Sequence, residues 1–116
     1  MAGLRVKGTE TTMVIRLFRG RVKPERLGSL DDILMEVTLP LLENREGLLC
    51  YYIGKPLEPN ANGFLVLTVW KNLQALKEFT GEDWQKSVVP ERMATLLEDS
   101  FLDHYSALCE TLAHPR

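Results

Sequence analysis

Few side chains in this chain can do chemistry, and they are scattered. His104 is one of two histidines; the other, His114, falls in the last few residues. An imidazole titrates near neutrality, so His104 is suited to take a proton from a phenol or enol and leave an electron-rich anion. The competing reading is a hydrogen-bonded strand histidine near a sheet edge or a subunit interface. Arg16 is a lone cation in an otherwise apolar run. An inward guanidinium is costly without a partner. Arg16 therefore either holds an anionic substrate or oxyanion, or pairs with Asp103 or Glu36, or points outward near the strand end. Trp70 can stack on a flat aromatic substrate or donate its indole N–H; it can equally close a core against the following helix. His104, Trp70 and Arg16 are thus the candidate catalytic residues. Tyr52, Phe79, Trp84 and Tyr105 are the candidate substrate contacts, although tyrosine is also simply a good strand former.

Other chemistries find less support. Cys50 and Cys109 have no CxxC spacing and no histidine close by, so buried thiols are expected. Two cysteines are too few for a disulfide scaffold, and two histidines cannot build a zinc site of the usual kind. Gly63 and Gly81 belong to no phosphate loop. Residues 62–66 faintly resemble an RNA-binding strand but lack its aromatic pattern and basic flank. Asp31-Asp32 and Glu98-Asp99 read as solvated helix surface. The 116 residues carry a formal net charge of -2 with 45% hydrophobic and 26% charged residues. That is one ordinary globular domain without the basic field of a nucleic-acid binder. No apolar run approaches the roughly 18 residues of a membrane helix, and the N-terminus has no signal-peptide core, so a cytoplasmic address is expected.

These residues must be held by elements that the hydrophobic pattern outlines. Residues 1–11 read as a loose leader and 111–116 as a tail, flanking a domain at 12–110. The first strand spans 12–20, with Met13, Ile15 and Leu17 on one face and Val14, Arg16 and Phe18 on the other. Pro24 opens a helix whose stripe is Leu27, Leu30, Leu34, Val37 and Leu41. Pro40 should kink or break it near Leu39, leaving a last turn to Asn44, and Gly47 ends the connection. The second strand is 48–53, and 56–62 is a turn-rich loop. The third strand, 64–70, alternates Leu65, Leu67 and Val69 against Phe64, Val66, Thr68 and Trp70. Asn72 caps a short helix bearing Leu73, Leu76 and Phe79, which Gly81 breaks. Residues 84–89 are helical or irregular. Pro90 starts another short helix with Met93, Leu96 and Leu97 on its apolar side. The last strand is 101–109.

The order is β-α-β-β-α-β, a ferredoxin-like α+β sandwich. Helices cover one face of a four-stranded sheet, yet strands one and three are apolar on both faces. A monomer would leave an apolar sheet in water. A second copy packed sheet to sheet, an isologous homodimer, is the simplest remedy.

Trp70 closing the run Leu67-Thr68-Val69-Trp70, followed by Lys71-Asn72 and a short helix, resembles the antibiotic biosynthesis monooxygenase family of dimeric α+β barrels. So do the stretch from Phe79 through Gly81 to Trp84, then Val88-Val89-Pro90-Glu91 and His104-Tyr105. The resemblance covers about residues 13–108 and is to a subgroup of mostly unassigned function. It implies a homodimer with a pocket between sheet and helices, a small apolar or aromatic ligand, and oxidation of an aromatic or polyketide-like substrate by O2 without metal or flavin. Quinone-forming members carry an asparagine and a tyrosine where this chain has Val66 and Leu76. Haem-degrading members use positions that are Val89, Phe79 and Ile15 here, so haem is disfavoured and no cofactor is expected. A non-catalytic ligand-binding or stress-associated dimer is the alternative from another class.

Overall fold

The structure, a computed structural model, describes residues 12–58 and 61–108. The predicted leader at 1–11 and tail at 111–116, with Cys109 and His114, lie outside the described residues. Strands β1 (Val14–Val22), β2 (Leu48–Gly54), β3 (Gly63–Trp70) and β4 (Leu97–Ser106) form one antiparallel sheet in the order β2-β3-β1-β4. The chain thus adopts the ferredoxin-like α+β fold. Among the described residues no helix is long and apolar enough to cross a membrane.

The first strand runs to Val22 rather than stopping at Gly20. Gly20 is opposite Phe64 in register, and a Cβ there would strike the Phe64 ring. The glycine admits that ring instead of ending the strand. Residues 24–42 then wind in four consecutive pieces. A 3-10 turn over Pro24–Ser29 leads into α1 (Leu30–Ile33), a π turn over Leu34–Thr38 follows, and α2 (Leu39–Leu42) completes the run. Pro40 lacks an N–H and its ring crowds the carbonyl four residues back. The widened π turn lies just ahead of it, so the predicted kink takes the form of a change in winding. The run ends at Leu42, earlier than Asn44. Asn44 and Gly47, at φ 57 and 82, then reverse the chain.

Asn72 caps α3 (Leu73–Thr80) as its side-chain oxygen accepts from the Ala75 N–H at 2.8 Å, and Gly81 at φ 85 ends it. Residues 82–90 are irregular, and α4 (Glu91–Ala94) is a single turn. The fourth strand starts four residues earlier than its pattern suggests. The Lys23 N–H donates to the Leu96 carbonyl at 2.8 Å, drawing the chain into the sheet. Leu97 therefore pairs with Val22 as a strand residue instead of finishing a helix. Glu98 and Asp99 are likewise strand residues, both paired with Arg21, and not helix surface.

Two core clusters form between sheet and helices. Val22, Leu30, Ile33, Leu34, Phe64, Met93 and Leu96 make the larger; Val14, Trp70, Ala75 and Leu76 make the smaller. Each large apolar side chain buried here contributes about 1.5–3 kcal/mol. The other sheet face carries no element of the described chain. Ile15, Leu17, Leu65, Leu67 and Val69 alternate onto it, with exposed Tyr52, Phe101 and Tyr105 beside them. Cys50 is on this face too and is exposed, which corrects the expectation of a buried thiol.

Candidate active site

At the seam between the two clusters the neighbouring strands β3, β1 and β4 present polar side chains. Arg16 on β1 stands opposite Thr68 on β3 and His104 on β4. All three take the inward turn of the alternation. Arg16 is 6% exposed and Thr68 4%.

The inward guanidinium has no carboxylate within ion-pair distance among the described residues. Asp103 pairs instead with Arg19 at 3.7 Å, and Glu36 with Arg92 at 3.1 Å. Neutral acceptors surround Arg16. Nη1 donates to the Trp84 carbonyl at 2.7 Å and to His104 Nε2 at 2.9 Å, and Nη2 donates to the Lys86 carbonyl at 3.1 Å. Both Nη1 hydrogens and one on Nη2 are thereby engaged. The Nε–H and the second Nη2 hydrogen have no acceptor among the described residues. Burial lowers the Arg16 pKa to about 10, which leaves it a cation at neutral pH.

A guanidinium only donates, so His104 Nε2 must accept, and the imidazole is neutral with its proton on Nδ1. Burial first, then the Arg16 charge, push the His104 pKa below its ordinary value; Asp103 opposes them. The Trp84 ring meets the imidazole edge to face, with centroids 4.9 Å apart.

Thr68 also has a fixed role. Its Oγ1 accepts from the Trp70 indole N–H at 2.9 Å. With a lone pair so engaged, the hydroxyl is left to donate elsewhere. Trp70 itself is 0% exposed. It stacks on Phe79 with centroids 5.0 Å apart, and Arg45 caps the outer face of Phe79 at 4.7 Å. Of the two readings of Trp70, its burial agrees with the one in which it closes the core against the following helix, since its ring faces are taken there.

A cavity of about 60 Å³ opens above Arg16 and Thr68. Its walls are Phe18, Phe64, Val66, Leu42, Phe79 and Met93, and Val88 stands at its half-exposed rim. Arg16 reaches it; His104 is not among its lining residues and touches it only through Arg16. Trp84 likewise contributes through its carbonyl and its ring on His104. Tyr52 and Tyr105 alternate onto the opposite sheet face, at 66% and 55% exposure. The grouping read from sequence is corrected there, since a strand's period of two separates them from Arg16. Thr68 was missed as a site residue. Its signal was a hydroxyl in the apolar run Phe64-Leu65-Val66-Leu67-Thr68, on the same face as Arg16. Of the positions compared with haem degraders, Phe79 and Val89 line the cavity, whereas Ile15 takes the open face.

A sheet with helices on one side and an apolar pocket between them defines a class of small α+β ligand-pocket proteins. The family model for antibiotic biosynthesis monooxygenase matches residues 13–91, and the chain belongs to that family. Solved structures agree at the level of fold. A candidate antibiotic biosynthesis monooxygenase from Bacteroides thetaiotaomicron superposes with a TM-score of 0.68 at 21% identity, over 90% of this chain and 97% of that one. Another from Caulobacter crescentus gives 0.67 at 17% identity, over 85% and 92%. A Nitrosomonas europaea protein of unknown function gives 0.69 at 20% identity, over 91% and 99%. No curated protein matches the chain.

Proposed function

We propose that the protein is a cofactor-independent monooxygenase-like enzyme acting on a small aromatic substrate of quinol or polyketide type with O2. The observation that carries this reading is the apolar cavity with a buried cation and a hydroxyl donor at its floor. A quinol that reaches Arg16 as its anion is stabilised there, and such electron-rich rings reduce O2 directly. The balance closes without a cofactor: a hydroquinone and O2 give a hydroxyquinone and water. One ring C–H becomes C–OH, the diol becomes the quinone, and these two changes supply the four electrons that reduce O2. The cavity is smaller than the roughly 150 Å³ that accommodates benzene, so the substrate's polar end and a few carbons seat inside and the rest projects past Val88.

The test is O2 uptake with a panel of single-ring and fused-ring quinols. Arg16→Met should lower the rate about 10²- to 10³-fold, the range for losing one oxyanion donor. No uptake above the buffer blank across the panel overturns the reading. A non-catalytic ligand-binding role is the second reading. It is favoured by one specific observation: His104 Nε2 is occupied by Arg16, so among the described residues no free base lines the cavity.

The working unit in this proposal is a cytoplasmic homodimer joined through the open sheet face. A second copy suits that face. Its centre is apolar, and its charges lie along β1 and β4 as Arg19 with Asp103 and Arg21 with Glu98 and Asp99, signs that two-fold symmetry can exchange between copies.

A further inference from the structure

Resting on the reading of this cavity as the ligand site, we infer that its ligand arrives already ionised: an apolar acid whose anionic oxygen sits on Arg16 and Thr68. Three observations converge. Arg16 is an inward cation whose described partners are two carbonyls and a neutral imidazole, so three of its N–H groups are met by dipoles and its charge faces no anion among the described residues. Two of its N–H groups have no acceptor among the described residues, on a side chain that lines the cavity. Thr68, its cross-strand neighbour, lines the same cavity with one lone pair engaged by Trp70 and its O–H free to donate.

Two adjacent strands therefore present a cation and a hydroxyl donor side by side, and no carboxylate lines the cavity among the described residues; the Thr38 hydroxyl is the other polar side chain in its wall. Carboxylates and acidic enolates or phenolates fit such a floor, as charge-assisted hydrogen bonds to ionised oxygen are the strong ones. A neutral phenol would leave the cation uncompensated. Among the described residues no free imidazole faces the cavity to take the ligand's proton, because His104 Nε2 is held by Arg16, so the proton is left in solvent and the cavity captures the anion. Trp70 and His104 are on this account positioning residues. Trp70 directs the Thr68 proton, and His104 holds Nη1 so that the rest of the guanidinium faces the ligand.

4-Nitrophenol is a suitable probe because its anion is coloured and its neutral form is not. In buffer somewhat below the probe's own pKa, adding protein should raise the anion absorbance. Benzoate should displace the probe, and isosteric benzamide should do so at least tenfold less well. Arg16→Met should abolish the colour change, and Arg16→Lys should keep part of it. Thr68→Val should weaken binding about tenfold, whereas Thr68→Ser, which keeps the hydroxyl and the Trp70 bond, should restore it; far-UV circular dichroism checks that each variant is folded. Binding of the colourless form, equal competition by benzamide, or no binding of the anion at millimolar concentration overturns the inference. Anion binding without O2 uptake by any quinol would sustain it and overturn the monooxygenase reading alone.

Discussion

A half-buried base facing a buried cation makes the protein's stability depend on pH in one direction. His104 accepts from Arg16, packs against Trp84 and sits beside Asp103. Its proton affinity is lower folded than unfolded. As pH falls below about 6.5 the unfolded chain therefore takes up more protons than the folded one. The stability contributed by the neutral imidazole is complete above that pH and is lost as pH falls towards the lowered folded pKa. The melting temperature should decline on acidification through this window, and His104→Gln, which retains an acceptor for Arg16 but cannot titrate, should flatten the decline. An unchanged slope in that variant would show that other groups set it. At this scale the sequence was only partly legible. Arg16 and His104 stand out by type, but nothing in their spacing of 88 residues says that they touch. Thr68 was hidden because a single threonine is unremarkable in a strand. Its role depends on Trp70 two residues on, whose indole reaches back along the same face.

Local rules decide the elements where they are strong. The Asn72 cap and the Gly81 stop were readable because each satisfies or ends a backbone pattern by itself. Asn72→Ala should cost about 1 kcal/mol, measured by urea unfolding. Gly47→Ala should cost more, since its φ of 82 disfavours a side chain and a Cβ there would come within 2.5 Å of the Ala75 Cβ. Boundaries set by tertiary partners were not readable. The start of β4 depends on Lys23 reaching Leu96, and the continuation of β1 past Gly20 depends on Phe64. The π turn before Pro40 is similar in kind: the proline signals a disturbance, while packing of Leu34 and Leu42 on the sheet decides that the helix rewinds instead of ending.

For the molecule as a whole, apolar alternation on both faces of β1 and β3 already said that one helical layer would not suffice. The structure bears out that arithmetic for the described residues, with one face under the helices and the other open. Native mass spectrometry should give twice the chain mass. Leu67→Asp, placed at the centre of the open face, should convert the protein to monomer while leaving the helix-side cavity built. A monomer in the unmodified protein would remove the sheet-to-sheet pairing. The ligand was less legible than the fold. Most cavity walls are aliphatic or phenyl groups that also serve as core, and only the uncompensated charge at the floor distinguishes a binding site from a packing defect.

The edge-on contact between Trp84 and His104 also gives the molecule an optical handle. The chain has two tryptophans, and Trp70, sealed between Thr68 and Phe79, is insulated from solvent and from titrating groups. Imidazolium quenches indole emission where neutral imidazole hardly does. The Trp84 fluorescence of the unlabelled protein thus reports the protonation of His104 in real time, with Trp70 as a constant internal reference. Trp84→Phe should leave an emission that ignores pH, and the same signal in the native chain can follow anything that disturbs Arg16 from the cavity side.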